Sequence, residues 1–288
     1  MTAIYKRELH SYFNSMTGYV FIAVVSAFTG IYFMATNLFG GYPYFSYTLT
    51  HLSFIALLTV PILTMKSMAE ERHSKTDQML LTYPVTVTGM VMGKYLAMLT
   101  VFAVPLLLSS LCPLIILANG TGYPVTDYAT LLAFFFFGCL LTSVGMFISS
   151  LTESQIIAAV GTFGALLLFY LWPNLVSFLP TSAPLTALGL LLLLTAAALL
   201  IYSMSKNRLV AFVLEIIWIA AVAGVYLFAK DKLESLLPKL LGAFSCTGAL
   251  DNFGLYSVFD LGGLFFYLSG AALFVFLTVQ SVQKRRWN

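Results

Sequence analysis

Charge is what this sequence has least of. Only 9% of its residues are Asp, Glu, Lys or Arg, against 60% hydrophobic and 15% aromatic, where a soluble chain carries roughly 25% charge. A soluble globular domain is thereby excluded. Histidine and cysteine are scarce as well, three of each in 288 residues. His10, His51 and His73 fall at an inner surface, an outer span end and an inner loop, and neither H-x-x-x-H nor C-x-x-C occurs, so no metal centre is expected. Cys112 and Cys246 both fall on the outer side, where a bridge is conceivable, but free small hydrophobes are the simpler reading for them and for Cys139. There is no G-x-S-x-G and no usable Ser/His/Asp set, which argues against a membrane-embedded hydrolase. The phosphate-binding loop is missing too, since Gly89-Met90-Val91-Met92-Gly93-Lys94 has the wrong spacing. The chain by itself is therefore not expected to be an enzyme or to bind a cofactor.

What is present is a series of apolar runs, at about 17–37, 51–68, 89–118, 128–150, 155–174, 183–204, 209–229 and 259–282. Each is long enough to cross a bilayer as a helix, and none shows the period-2 alternation of a barrel strand. Eight crossings of about 20 residues use roughly 160 positions, which leaves no room for a nucleotide-hydrolysing domain of on the order of 200 residues. The expected fold is an all-α polytopic membrane bundle of about eight transmembrane helices. With the N-terminus cytoplasmic, 11 cations lie inside (Lys6, Arg7, Lys66, Arg72, Lys75, Lys94, Lys206, Arg208, Lys284, Arg285, Arg286) and 3 outside (Lys230, Lys232, Lys239). The positive-inside rule places both termini in the cytoplasm.

Four polar segments stand out. In residues 1–16, Ile4, Tyr5, Leu9, Tyr12, Phe13 and Met16 share one helical face and Lys6, Arg7, His10 and Asn14 the other. This reads as an interfacial helix with its apolar side in lipid and its cations among headgroups, or else as an ordinary lead-in to the first span. The inner loop from Lys66 to Thr88 contains Glu70, Glu71, Arg72, Lys75 and Asp77, followed by Met79, Leu80 and Leu81. Ser74 and Asp77 form a capping-box-like start and Tyr83-Pro84 a stop, so a short cytoplasmic helix is expected. Its apolar trio suits a protein docking surface or folds back onto the membrane. Thr152 and Gln155 are expected to cap the fifth span, which displays Glu153. On the outer side, residues 231–244 form a second amphipathic stretch.

Glu215 is the one acidic residue clearly inside a span. It lies two turns beyond Arg208, about 10 Å deep by helical rise, and either pairs toward the inner interface or marks a pathway. Ion-coupled transporters usually carry several such groups, so a self-sufficient secondary transporter is the disfavoured alternative.

Gly18-Tyr19-Val20-Phe21-Ile22-Ala23, Pro61 to Arg72, Lys75 to Thr86, Gly93-Lys94-Tyr95-Leu96-Ala97, Ser149 to Ala158 and Phe274 to Trp287 resemble ABC-2 type permeases, and within them the gliding-motility-type subgroup. The likeness covers about residues 1–175 and 255–288. It implies a six-helix core in a bacterial cytoplasmic membrane, dimerisation with a second permease protomer (homo- or heterodimer), and a separate cytoplasmic ABC ATPase holding ATP and magnesium. It leaves room for an outer accessory protein and involves no nucleic acid. By resemblance, residues 1–16 are the connecting helix and about Glu70 to Thr82 the coupling-helix region. Thr152 to Gln155 are then a second ATPase contact. The core would be 17–180 and 251–288, with 181–250 an inserted helix pair and outer segment. The substrate path of an exporter or extractor, with an apolar or amphipathic substrate, would run between the second and fifth spans. Phe54, Phe163, Phe169 and Tyr170 are its candidate lining residues, each equally readable as a packing or lipid-facing aromatic.

Overall fold

The computed structural model describes residues 1–75, 86–120, 122–205, 215, 217–219, 222, 226 and 236–286. Among them the secondary structure is helical throughout. The first helix, α1 (Thr2–Asn14), leads into α2 (Met16–Phe33), which continues as a π-helical turn, Met34–Phe39. Next come α3 (Phe45–Thr64), α4 (Lys66–His73), α5 (Val87–Ser109) and α6 (Cys112–Asn119). Helices α7 (Pro124–Leu151), α8 (Gln155–Ser177), α9 (Ala183–Ser205), α10 (Leu236–Gly242), α11 (Cys246–Gly254) and α12 (Leu261–Arg286) complete the order.

Six helices among the described residues are long and apolar enough to span a membrane: Met16–Phe39, Phe45–His73, Val87–Asn119, Pro124–Leu151, Gln155–Ser177 and Leu261–Lys284. The chain is thus a multi-pass all-α membrane protein. The expected span at 209–229 falls largely outside the described residues, as does 231–235 of the outer amphipathic stretch.

The chain divides into two compact units, Met1–Tyr170 with Cys246–Asn288, and Leu171–Ser245. In the first, α7 is the central helix, packed against α3, α5, α11 and α12. Small residues allow these close approaches, as expected where van der Waals packing rather than the hydrophobic effect holds helices together in lipid. A methyl group on Gly138 of α7 would fall on the Phe102 ring of α5, and Phe102 is itself buried and stacked on Phe134.

Buried backbone groups at helix ends are met by side chains from neighbouring helices. Asp127 of α7 accepts from the Ser46 amide at the start of α3 (3.0 Å). Ser46 Oγ and Thr130 Oγ1 donate to the Gly254 and Phe253 carbonyls that end α11. These are orphan groups that water cannot reach. The π-helical turn brings in Asn37, whose amide nitrogen donates to the Tyr42 and Tyr44 carbonyls and whose oxygen accepts from Thr48 Oγ1. A buried amide is thereby satisfied on both sides.

Two expected boundaries shift. The second span begins at Phe45 instead of about 51, because Ser46 and Thr48 satisfy their hydroxyls within the bundle and can be buried there. The third, expected at 89–118, is two helices. It breaks at Ser110-Leu111, where the Tyr128 hydroxyl donates to the Ser110 carbonyl. Pro113 enters α6 in its first turn, where a missing amide hydrogen costs nothing.

In the second unit, the Trp172 indole donates to the Leu241 carbonyl (2.7 Å) and α9 packs on α10. Glu215 is a half-buried helical position; Arg208 lies outside the described residues. The cysteines are free.

Candidate functional site

The end of the first unit where α1, α4 and the start of α5 meet gathers most of its charge. Tyr5 Oη bonds Thr100 Oγ1 (3.0 Å), and the buried Tyr12 hydroxyl donates to the Leu63 carbonyl (3.1 Å). Ile4 is buried where Gly93 lets α1 come close, a Cβ at that glycine meeting Ile4 Cγ2 at 3.2 Å. This corrects the placement of α1 wholly between lipid and headgroups: part of its apolar face, Ile4 and Tyr12, seats on α3 and α5. Lys6 remains exposed, and Phe13 is half-buried with its ring edge-on to Tyr19.

With α1 held there, four charges meet. Lys94 on α5, only 2% exposed, lies 2.9 Å from Glu71 and 3.4 Å from Glu8, and donates to the Ser67 carbonyl at 2.8 Å. Arg7 reaches the same two carboxylates at 2.6 Å (Glu8) and 2.7 Å (Glu71). The cluster has no net charge and ties α1, α4 and α5 together. Burial opposes the Arg7 charge, but Glu8 and Glu71 outweigh it and hold its pKa above the ordinary value. Burial, reinforced by Glu8, Glu70 and Glu71, keeps the Tyr12 phenol firmly protonated and so a donor.

A second strap joins α4 to the turn after α7. Arg72 Nη1 donates to the Ser150 and Thr152 carbonyls, both at 2.9 Å, and Nη2 lies 3.7 Å from Glu153. Beside it Ser149 Oγ accepts from the Met68 and Ala69 amides (3.2 and 3.1 Å) and donates to the Met65 carbonyl (3.1 Å). A hydroxyl from α7 thus caps the first turn of α4, doing in trans what a capping residue does locally.

Glu70 is exposed and borders a small polar pocket of about 90 Å³ with Glu8, Ser11, Tyr12 and Lys66. Glu153 is 72% exposed on its side chain, and Lys75 is exposed too. The two glutamates expected to act alike therefore differ, Glu71 locked inward and Glu70 presented outward.

Ser74 closes α4: its amide and hydroxyl both bond the Glu70 carbonyl, and Lys75 follows with φ +55°, a left-handed stop. One local expectation is corrected. Thr152 does not cap α8; its hydroxyl donates to the Ser154 carbonyl, and the Ser154 hydroxyl takes the Ile157 amide at 3.5 Å. The expected helix carrying Asp77, Met79, Leu80 and Leu81 lies outside the described residues.

Of the aromatic candidates, Phe54 of α3 and Tyr170 of α8 meet, with ring centroids 5.6 Å apart. Phe169 turns to α12 and packs edge-on to Phe274 (6.5 Å), so neighbours in sequence serve different surfaces. Phe163 is half-buried. No group of three or more His, Cys, Asp or Glu able to hold a metal occurs among the described residues.

Sequence reasoning did not single out Glu8 or Ser149, and counted Lys94 only among the inner cations. A signal for Lys94 exists: a cation six positions into an apolar span at 89–118 needs a partner. A family model described as ABC-2 family transporter protein matches residues 11–233. No curated protein matches the chain.

Proposed function

Because the chain belongs to the ABC-2 family of transporter proteins, a family of multi-pass membrane permeases whose ATPase activity resides in a partner, we propose that it moves its substrate by alternating access driven by a separate cytoplasmic ABC ATPase. ATP and magnesium are held by that partner. The ATPase docks on the inner face, with Glu70, Lys75, Glu153 and the segment Asp77 to Leu81 as contact residues. The permease works as a dimer in a bacterial cell membrane, both termini inside, and stands nearest the gliding-motility-type permeases.

The observation that carries this reading is the pair of straps beside the inner loop. A force applied at α4 passes to α1 and α5 through Arg7, Glu8, Glu71 and Lys94, and to α7 through Arg72 and Ser149. A solvated loop has no use for a buried lysine shared by two carboxylates, whereas a lever that must not bend does. The substrate is apolar or amphipathic, in keeping with spans almost free of charge, and passes near Phe54 and Tyr170.

The test is a mild-detergent pulldown of the tagged chain from its native membrane, followed by mass spectrometry. Recovery of a soluble ATPase with a phosphate-binding loop, whose hydrolysis rate changes on binding the permease, is the expected result. Repeated recovery of the folded chain alone would overturn the proposal and make Glu215 the first residue to test for ion coupling.

A further inference from the structure

A groove of about 1010 Å³ runs down the first unit between α5 and α12, with α7 as its floor. Its walls are Leu96, Leu99, Phe135, Phe136, Ala272 and Phe276; Thr88, Gln280 and Gln283 form a polar end, and the mutually bonded Tyr5 and Thr100 hydroxyls lie farther along. From Gln283 to Leu268 along α12 the rise is about 22 Å, somewhat more than the roughly 15 Å of hydrocarbon in one leaflet. The polar end lies at the membrane face where α5 begins and α12 ends, beside α1. Exposed Lys284 adjoins the rim residue Gln283 and exposed Lys6 the lining residue Tyr5, and Arg285-Arg286 follow Lys284 in sequence. Among the described residues none that is acidic lines the groove.

We infer that this groove binds one phospholipid of the inner leaflet, its acyl chain lying along α7 between α5 and α12 and its phosphate held at the amide and cation rim. The polarity suits a lipid: amides at one end, then a mostly apolar wall in which the hydroxyls of Tyr5, Tyr95 and Thr100 are taken up by hydrogen bonds within the protein. The charge is complementary to a phosphate and favours anionic headgroups. A second copy of this chain is a poorer occupant, because a two-fold contact along α12 would set two Lys284-Arg285-Arg286 runs against each other. The site lies away from Phe54 and Tyr170 and does not depend on the transport reading.

The test uses the full chain in nanodiscs containing a phospholipid with a diazirine in its acyl chain, irradiated and then mapped by peptide mass spectrometry. Adducts are expected to concentrate on Leu99, Phe135 and Phe136 over the exposed Ile157 and Val160 of α8. They should rise about fivefold from a phosphatidylcholine to a phosphatidylglycerol probe. Ala272→Trp fills the groove from an exposed position and should remove the groove adducts while leaving those on α8. Leu268→Trp, at the far end, serves the same purpose if the first variant fails to fold. Equal labelling of groove and α8, labelling indifferent to the tryptophan in a folded variant, or loss of a dimer with lipid labelling intact would each overturn the assignment.

Discussion

Replacing Lys94 with Met keeps the length of the side chain and removes its charge. Three charges then remain, Arg7 against Glu8 and Glu71, and the Ser67 carbonyl loses its donor. Removing one partner of a buried ion pair costs about 3–5 kcal/mol, because the other is left uncompensated. Here Glu71 keeps Arg7 at 2.7 Å and both carboxylates retain some solvent, 13% for Glu8 and 17% for Glu71, so the low end applies, about 3 kcal/mol. That is on the order of a hundredfold in the folded-to-unfolded ratio. The assay is denaturant unfolding in detergent for Lys94→Met, Glu71→Gln and the double variant. The double variant should recover part of the loss, with a coupling of about 1–3 kcal/mol. A Lys94→Met variant within about 0.5 kcal/mol of the parent, or two changes that simply add, would refute the idea that the cluster holds α1, α4 and α5 together.

Four further expectations can be checked with the same preparations. Gly138→Ala should cost about 1–3 kcal/mol by forcing the buried Phe102 ring aside, whereas Gly164→Ala, which meets nothing within 4 Å, should be neutral or gain up to about 1 kcal/mol of helix propensity; thermal unfolding of the two side by side decides it. Ser149→Ala leaves the Met68 and Ala69 amides unpaired and should cost about 1–3 kcal/mol, with faster hydrogen exchange confined to the start of α4. Asp260 caps α12 through the Gly263 amide and accepts from Asn252; those bonds hold its carboxyl below the usual pKa, so its stabilisation is present above about pH 3.9 and is lost as pH falls through the lowered folded value, and Asp260→Asn should flatten that acid limb of the stability curve. Glu70→Lys with Glu153→Lys should leave unfolding unchanged, since an exposed pair such as Arg72 with Glu153 contributes about 0–1 kcal/mol, while lowering ATPase association in a pulldown; full retention of the ATPase would remove both residues from the docking surface.

The parts of this fold that could be read from sequence are those set by local pattern. A run of 20 or so apolar residues must cross as a helix, and the windows around Phe21, Leu131 and Tyr267 needed no knowledge of neighbours. The amphipathic α1 was legible for the same reason, but not what its apolar face meets, which depends on Gly93 being small on another helix. The ion cluster joins residues 64 and 86 positions apart, Arg7 to Glu71 and Lys94 to Glu8, and no periodicity reports such a pairing. Ser149 looked like an ordinary turn residue because the helix it caps lies 80 residues earlier. Thr152 was misassigned by the converse error: it fits a capping pattern by spacing, but the Ser154 carbonyl takes its hydroxyl.

The caps supplied by α7 bear on how such a protein can move. Asp127 near one end of α7 holds the first turn of α3, and Ser149 near the other end holds the first turn of α4. These residues are 22 apart, about 33 Å along the helix. Sliding α3 and α4 along α7 by even one turn would strip both caps at once and bury unpaired amides, at about 1–3 kcal/mol each. Helices α3, α4 and α7 therefore travel as one body, and the two straps carry α1 and α5 with them. Helix α8 is different in kind: its apolar window is only 17% buried, against 72% for α7, and Ile156, Ile157, Val160 and Leu168 along it are exposed. In the alternating-access cycle proposed above, rearrangement would be least costly where fewest contacts break, which favours a moving seam along α8, beside Phe54 and Tyr170, over one through the capped core.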